Sequence, residues 1–176
     1  MRKIVFLEGL PGVGKTTILN EIRKKNLPDV YVVDEVINKN ILENQVFSEV
    51  EFLRNDSLKV NQYSDGVIVI DRGPISSLSY AQTKNIMDVS CDISATLEEF
   101  PNYIDLLNES KVVYLTNRGK DYSITSSDIR SPYSSIESQK ILEEISIYNS
   151  LKYCENTVIL DYFKENMEEV IHEIIN

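Results

Sequence analysis

The segment GLPGVGKTT, residues 9–17, matches the pattern G-x-x-x-x-G-K-[ST] in full and lies just after a short apolar run. Glycines let backbone N–H groups turn inward toward phosphate oxygens, and a following helix adds the positive end of its dipole. The pattern therefore predicts a strand, a loop and a helix, with Lys15 against the β- and γ-phosphates of a nucleotide and the Thr16 hydroxyl on Mg²⁺. A glycine-rich turn that happens to end in Lys-Thr is the less favoured alternative.

Short apolar runs alternate with segments of helical periodicity along the whole chain of 176 residues. Unbroken runs such as Ile4 to Leu7 are typical of strands that are covered on both faces. The alternation predicts a three-layer α/β fold, in which one five-stranded, mostly parallel sheet has helices on both faces, within a single domain over 1–176. The predicted strands are 4–7, 30–33, 67–70, 112–115 and 157–160. The predicted helices cover about 15–25, 40–63, 92–108, 136–153 and 164–175, and a further helix begins at Pro74. We expect a break near Asn55-Asp56 in the second of these helices and an interruption at Pro101 in the helix over 92–108.

The charge and the cysteines restrict the classes of partner. The formal net charge is −10, so we expect the chain to repel the phosphate backbone of a nucleic acid polymer. Six basic residues nevertheless lie within the first 25 positions, where an anionic small molecule could be held locally. Cys91 and Cys154 have neither metal-binding nor redox spacing, no apolar run approaches the ~20 residues of a membrane span, and no signal peptide is recognisable. We therefore expect a cytoplasmic protein with no membrane partner.

Charged side chains follow the second and third predicted strands. Because ligands in such sheets lie beyond the carboxyl ends of the strands, these residues are candidates for chemistry. Glu35 could accept a proton from an attacking hydroxyl, although a solvated loop acid is equally compatible with its position. Asp71 has the position of a carboxylate that orients Mg²⁺ through water, and Arg72 could clamp a transferring group. A purely structural Asp-Arg ion pair is the alternative.

The stretch from residue 117 to residue 135 is polar, rich in serine and without apolar periodicity, which predicts a loop that acts as a lid. It contains Arg118, Lys120 and Arg130. An arginine in a mobile lid can close over the phosphates and neutralise charge in the transition state. We predict that Arg118 contacts the nucleotide and that Arg130 is catalytic, with a solvated loop carrying scattered charges as the alternative.

Three of these stretches resemble segments of the nucleoside and nucleoside-monophosphate kinases, in particular the thymidylate kinase and deoxynucleoside kinase families. FLEGLPGVGKTT, residues 6–17, looks like the phosphate loop of both, including the Glu before the first Gly. DRGPISSLSY, residues 71–80, is similar to the thymidylate kinase pattern D-R-x-x-x-S-x-x-x-Y. FLRND, residues 52–56, resembles the F-L-x-x-R segment of deoxynucleoside kinases.

The resemblance covers most of the chain in its order of elements, and its specific motifs lie within about the first 80 residues. It implies the three-layer P-loop NTPase fold. It also implies that Glu35, at the end of the second strand, serves as base or ligand for the hydroxyl of the acceptor. A homodimer formed through helices that flank the second and third strands is one assembly that the resemblance suggests.

These patterns together favour a small-molecule kinase that uses ATP and Mg²⁺ and transfers the γ-phosphoryl group to a nucleoside or nucleotide. Another small alcohol or sugar could be the acceptor, and a nucleotide-binding protein without an acceptor is also compatible with the motifs. A GTPase-like switch is disfavoured because Asn117 precedes Arg rather than Lys, and because the third strand ends in DRGP rather than D-x-x-G. The predicted site residues are Gly9, Gly12, Val13, Gly14, Lys15, Thr16, Thr17 and Arg118 for the nucleotide, Thr16 and Asp71 for the metal, and Lys15, Glu35, Arg72 and Arg130 for catalysis.

Overall fold

The computed structural model describes residues 1–35, 48–117, 121–124, 131–161 and 165–176. Strands and helices alternate through these residues, as the sequence predicts. The strands are β1 (Lys3–Gly9), β2 (Val30–Val33), β3 (Val67–Asp71), β4 (Lys111–Leu115) and β5 (Thr157–Leu160). The helices are α1 (Lys15–Lys25), α2 (Ser48–Val60), α3 (Pro74–Ile86), α4 (Ile93–Glu99), α5 (Ile104–Asn108), α6 (Ile136–Tyr153) and α7 (Met167–Ile175).

The five strands form one sheet in the order β2-β3-β1-β4-β5, and every neighbouring pair is parallel. From β1 the chain goes to β2, at one edge of the sheet, whereas from β3 it crosses to β4, on the opposite side of β1. Where connections leave in opposite directions in this way, a crevice opens beyond the carboxyl ends of the strands. The loop at Gly9 and the residues that follow Asp71 meet at this crevice, because Leu7 and Asp71 are register partners.

Hydrophobic packing on both faces of the sheet produces the three layers. Alternate β1 residues enter different clusters: Ile4 and Phe6 pack with side chains of α2, α3 and α5, whereas Val5 and Leu7 pack with side chains of α1 and α7. Side chains of successive strand residues point to opposite faces, so an unbroken apolar run supplies both cores at once. Each fully buried aliphatic or aromatic side chain contributes about 1.5–3 kcal/mol.

One sequence-based expectation for α2 is wrong. The helix runs without a break from Ser48 to Val60, through Asn55 and Asp56, both of which are buried. The Asp56 carboxylate pairs with Lys59, one turn farther along the helix, at 2.6 Å. Because the carboxylate has this side-chain partner, it does not take backbone N–H groups away from the helical hydrogen bonds. The part of the predicted helix that covers 40–47 lies outside the described residues.

The interruption expected at Pro101 is present. A 3-10 turn, Phe100–Tyr103, separates α4 from α5, because proline lacks the N–H group that a continuous helix needs. No helix in the part of the chain that the structure describes combines the length and the apolar character needed to cross a membrane.

Candidate active site

The loop between β1 and α1 has the backbone conformation that the glycine pattern predicts. Gly9 has a φ of +139°, and a Cβ there would lie 2.6 Å from the Leu115 carbonyl oxygen, so only glycine fits. Gly14 has a φ of +110° and caps α1 without a side-chain hydrogen bond. The first N–H groups of α1 therefore point into the loop, where they form an anion-binding arrangement. Thr16 and Thr17 are exposed on this first turn, and Val13 is buried beneath it.

Lys15 curls back over the loop that precedes it. Its Nζ donates to the carbonyl oxygens of Gly9, at 2.7 Å, and Leu10, at 2.9 Å. Burial lowers the pKa of Lys15 to about 7, and the nearby Arg72 charge acts in the same direction, whereas Asp71 opposes the shift. The protein alone thus only partly offsets the cost of burying the Lys15 ammonium, and an anion bound in the loop would raise the pKa of Lys15 and favour its charged form.

A buried carboxylate joins the loop to the turn between β3 and α3. Glu8, on β1, accepts hydrogen bonds from the Gly73 backbone N–H at 2.9 Å and from the Ser76 hydroxyl. Burial raises the pKa of Glu8. Gly73 also lies so close to Phe6 that a Cβ there would be 2.4 Å from the Phe6 ring. These contacts hold the residues after β3 at a set position relative to the phosphate loop.

Asp71 and Arg72 form that turn. Asp71 ends β3, and its Oδ1 is buried without a hydrogen-bond partner among the described residues. Burial raises the pKa of Asp71, and the positive charges of Lys15 and Arg72 oppose this. An unpartnered carboxylate oxygen beside the loop suits the outer coordination sphere of Mg²⁺, which keeps several waters when it binds protein. Arg72 has a φ of +58°, a strained conformation for a residue other than glycine, and its N–H donates to the Leu7 carbonyl at 3.1 Å.

The Arg72 guanidinium contacts one residue of helix α3 and one residue that follows β2. Its Nη1 donates to the Tyr80 hydroxyl at 2.6 Å, and its Nε lies 3.8 Å from Glu35 Oε1. Burial raises the pKa of Tyr80 to about 12, so the phenol stays protonated beside the arginine. Glu35, Asp71 and Arg72 all lie close enough to Lys15 to affect its pKa: Arg72 lowers it, and Asp71 and Glu35 raise it.

Lys59 of α2, which no sequence pattern singles out, contacts the turn between β3 and α3. Its Nζ donates to the carbonyl oxygens of Arg72, at 2.9 Å, and Asp71, at 3.2 Å, and pairs with Asp56 at 2.6 Å. Lys59 and Asp56 are only 3% and 2% exposed. Burial raises the pKa of Asp56 to about 7, and the Lys59 charge opposes the shift. An Asp and a Lys three positions apart in a helical pattern are the sequence feature that could have indicated this ion pair, although such pairs are common on exposed helix faces.

A cavity of about 340 Å³ opens beside Arg72, on the α2 and α3 side of the crevice. Its charged lining residues include Glu35, Asp56, Lys59 and Arg72, together with Glu49, whose Oε1 is 2.5 Å from Nζ of Lys84, also in the lining. Burial raises the pKa of Glu49 to about 7. The remaining lining residues are Ser48, Phe52, Gly73, Ser76, Ser77, Tyr80, Val89, Ser90, Ser131, Pro132 and Tyr133.

The predicted lid is described only in part. Arg118, Lys120 and Arg130 lie outside the described residues, so their roles remain predictions. Residues 121–124 rest on α6, where Gln139 donates to the Ser123 carbonyl at 2.8 Å. Residues 131–133 line the cavity, and the Tyr133 ring packs edge-on against Tyr80 with 5.6 Å between centroids.

The burial of Asp56 makes the stability of the fold depend on pH. Its pKa is about 7 in the folded state, against an ordinary value of 3.8, so between these values the folded state holds a proton that the unfolded state has lost. This contribution to the free energy of unfolding is complete below about pH 4 and is lost as the pH rises through about 7. We expect Asp56→Asn to flatten the corresponding fall in unfolding free energy between about pH 4 and pH 7, measured by urea denaturation.

The slope of stability against pH is the quantity to compare, since the asparagine variant leaves Lys59 buried without its ion pair and lowers stability by about 3–5 kcal/mol at high pH. Glu51→Gln is the matched control, because Glu51 lies on the same helix but pairs with the exposed Arg54. Equal slopes in wild type, control and Asp56→Asn would contradict the prediction.

No protein-family model matches the chain, and no curated protein is significantly similar to it in sequence. Solved structures, in contrast, match over nearly its whole length. Thymidylate kinase from Candida albicans has a TM-score of 0.66 at 13% identity, over 98% of this chain and 88% of its own. Deoxyadenosine kinase from M. mycoides, solved with dCMP and dCDP, has a TM-score of 0.60 at 18% identity, over 98% and 96% of the two chains. The YorR protein from Bacillus subtilis, solved with phosphorylated GDP, has a TM-score of 0.54 at 19% identity, over 98% and 94%.

At these identities the likeness establishes the fold. The chain has the three-layer α/β P-loop fold of the nucleoside and nucleotide kinases, as the sequence motifs predict.

Proposed function

We propose that this chain is a phosphotransferase that moves the γ-phosphoryl group of ATP, with Mg²⁺, to a small acceptor, with a nucleoside or nucleotide favoured. The observation that carries the proposal is that Arg72 and Glu35, which line the cavity and lie 3.8 Å apart, are both within electrostatic reach of Lys15, as is Asp71. The four side chains can supply a phosphate-binding cation, a carboxylate for the metal, an arginine for the developing charge and a carboxylate for the acceptor proton.

The metal would be held by the Thr16 hydroxyl and, through water, by the unpartnered Oδ1 of Asp71. When bound, Mg²⁺ supplies neutralisation of the charge on the β- and γ-phosphates. Lys15 leaves the two loop carbonyls and takes phosphate oxygens in their place, which raises its lowered pKa. The predicted contacts of Gly9, Gly12, Val13, Gly14, Thr17 and Arg118 with the nucleotide belong to the same proposal.

In the transfer step an acceptor hydroxyl oxygen bonds to the γ-phosphorus while the bond from that phosphorus to the bridging oxygen of ADP breaks. Glu35 takes the hydroxyl proton, and Arg72 and Lys15 hold the charge that spreads over the equatorial oxygens. Tyr80 keeps the guanidinium of Arg72 in place through its 2.6 Å hydrogen bond. Arg130, in the predicted lid, completes the proposal as a second source of positive charge over the phosphates.

The identity of the acceptor is supported by the kinds of molecule named with the structural neighbours, which include nucleosides and nucleotides. A cytoplasmic setting is consistent with the free thiols of Cys91 and Cys154. An acidic chain with six basic residues among its first 25 suits a small anionic ligand better than a nucleic acid polymer. A homodimer remains an expectation from the sequence resemblance.

The test is ADP release by the purified chain from ATP and Mg²⁺, measured with a panel of deoxynucleosides, their monophosphates and small alcohols or sugars. We expect release that saturates with one class of acceptor. Nucleotide binding without stimulation by any acceptor would contradict the proposal and would favour a nucleotide-binding module. Stimulation by an alcohol or sugar alone would keep the transfer chemistry but replace the favoured acceptor.

A further inference from the structure

Two peptide groups flank the Cα atom of Arg72, and each of them is held both at its carbonyl and at its N–H. Lys59 holds the two carbonyls: its Nζ donates to the oxygen of Asp71 at 3.2 Å and to that of Arg72 at 2.9 Å. The Arg72 N–H donates to the Leu7 carbonyl oxygen at 3.1 Å, and the N–H of the residue after Arg72 donates to Glu8 Oε1 at 2.9 Å. Because a peptide group is planar, these four contacts fix the rotations about both backbone bonds at Arg72.

The restraint is needed because the backbone at Arg72 is unfavourable. Its φ of +58° lies in the left-handed region, which a residue with a Cβ atom keeps only where the surrounding structure enforces it. A change of φ there turns the Cα–Cβ bond and moves the whole side chain. The contacts of the guanidinium with the Tyr80 hydroxyl, at 2.6 Å, and with Glu35, at 3.8 Å, therefore depend on the backbone that Lys59 helps to hold.

Lys59 is fully committed to this turn. An ammonium group has three N–H donors, and three acceptors lie within 3.2 Å of Lys59 Nζ: the two carbonyl oxygens and Oδ1 of Asp56, at 2.6 Å. Lys59 and Asp56 are both almost completely buried, so the carboxylate supplies the countercharge that a buried ammonium needs. Hydrogen bonds from a charged donor are stronger than those between neutral groups, which makes the ammonium an effective restraint on the two carbonyls.

From these contacts we propose that Lys59 is a positioning residue for phosphoryl transfer: it holds the backbone at Arg72 in the left-handed region and so sets the direction of the guanidinium. The catalytic consequence rests on the proposed function, in which Arg72 neutralises the charge that develops on the transferring group. Lys59 contacts neither the nucleotide nor the acceptor in this proposal and acts through Arg72. Asp56 has the supporting role of keeping the ammonium charged inside the protein.

The first test is Lys59→Met, which keeps an unbranched apolar side chain and removes the three donors. We expect kcat for ADP release with the preferred acceptor to fall about 10–100-fold, while KM for ATP changes less than about threefold. Lys111→Met is the matched control. Lys111 is also buried, pairs with Glu173 at 2.6 Å and donates to its carbonyl oxygen at 2.5 Å. It lies at the start of β4, away from the carboxyl ends of the strands, and its loss should leave kcat near the wild-type value. Wild-type kcat in folded Lys59→Met would overturn the proposal.

The second test separates positioning from a merely structural role by repeating Lys59→Met in the Arg72→Ala background. A residue that acts through the Arg72 guanidinium has nothing to position once that group is gone, so we expect kcat to fall no more than about twofold further. A lysine that only stabilises the fold would lower kcat by the same factor in both backgrounds, and that result would overturn the proposal.

A third measurement does not depend on turnover. The side-chain Nε–H resonance of Arg72 is followed by ¹⁵N–¹H NMR and assigned by its absence from Arg72→Ala. We expect it to shift or to be lost in Lys59→Met and to keep its position in Lys111→Met. If Lys59→Met does not fold, the double variant Asp56→Asn/Lys59→Met removes both buried charges and leaves neither unpaired, and it gives the same comparison.

The two proposals fail in different ways. ADP release with an unchanged kcat and an unchanged Arg72 resonance in the Lys59 variant retains the phosphotransferase and rejects the positioning role. Nucleotide binding with no stimulation by any acceptor rejects the phosphotransferase, and the NMR comparison then still decides whether Lys59 sets the direction of the Arg72 side chain.

Discussion

Lys15→Ala should lower kcat/KM for ATP-dependent phosphoryl transfer by roughly 10³-fold. The Lys15 ammonium is poised over the loop at 2.7 Å and 2.9 Å from two carbonyl oxygens, and burial keeps its pKa near 7. Such a group interacts weakly with the protein and strongly with an incoming polyphosphate, so most of its electrostatic contribution is made to the bound nucleotide and to the transition state. The measurement is steady-state ADP release with the preferred acceptor.

Lys24→Ala is the matched control for Lys15→Ala. Lys24 lies on the same helix, but it is exposed and pairs with Glu21, one turn earlier. Because burial opposes the charged form of Lys15, its removal relieves a desolvation cost, and we expect the melting temperature of Lys15→Ala to stay within about 5 °C of wild type. A variant that folds and keeps more than about a tenth of the wild-type activity would show that Lys15 does not stabilise the transition state.

Arg72→Ala should reduce kcat by roughly 10²–10³-fold with a smaller effect on KM for ATP. The guanidinium lies between Tyr80 and Glu35, next to the phosphate loop, where it can neutralise charge that develops as the phosphoryl group transfers. Tyr80→Phe removes only the 2.6 Å hydrogen bond that positions this guanidinium and keeps its charge. We expect that variant to lose about tenfold or less, which separates positioning from charge stabilisation.

The backbone at Arg72 supplies a control for folding. Its φ of +58° is unfavourable for alanine as well as arginine but not for glycine. Arg72→Gly should therefore be about 1 kcal/mol more stable than Arg72→Ala, measured by urea denaturation, although both lose activity. A direct role of the guanidinium predicts equal loss of activity in Arg72→Gly and Arg72→Ala. Activity that falls in step with the free energy of unfolding from wild type to Arg72→Gly to Arg72→Ala would contradict that role.

The parts of the molecule that sequence reasoning predicts correctly depend on neighbouring residues. The glycine pattern over 9–17 and the short apolar runs are local signals, and they predict the first strand, the loop that follows it and a mostly parallel sheet with helices on both faces. The break expected in α2 is wrong because Asp56 finds its partner Lys59 within the helix. A polar residue in a helical segment carries no local sign of whether it faces solvent or is buried.

Contacts between distant residues explain what sequence reasoning misses. Glu8 and Gly73 are 65 positions apart, yet their hydrogen bond sets the turn that carries Arg72. Lys84 pairs with Glu49 across 35 positions, and both line the cavity. No spacing rule connects such residues, because their proximity follows from how helices pack on the sheet.

Local patterns in the sequence suffice to predict a phosphate loop on a parallel α/β sheet, since backbone conformation at glycines and the burial of apolar runs are properties of short segments. In contrast, the position of Arg72 3.8 Å from Glu35 and within electrostatic reach of Lys15 arises only when the chain folds, as do the Lys59–Asp56 and Lys84–Glu49 pairs of the cavity. The reason is physical: the strength and the sign of an electrostatic site depend on distances and burial, which exist only after the chain has folded.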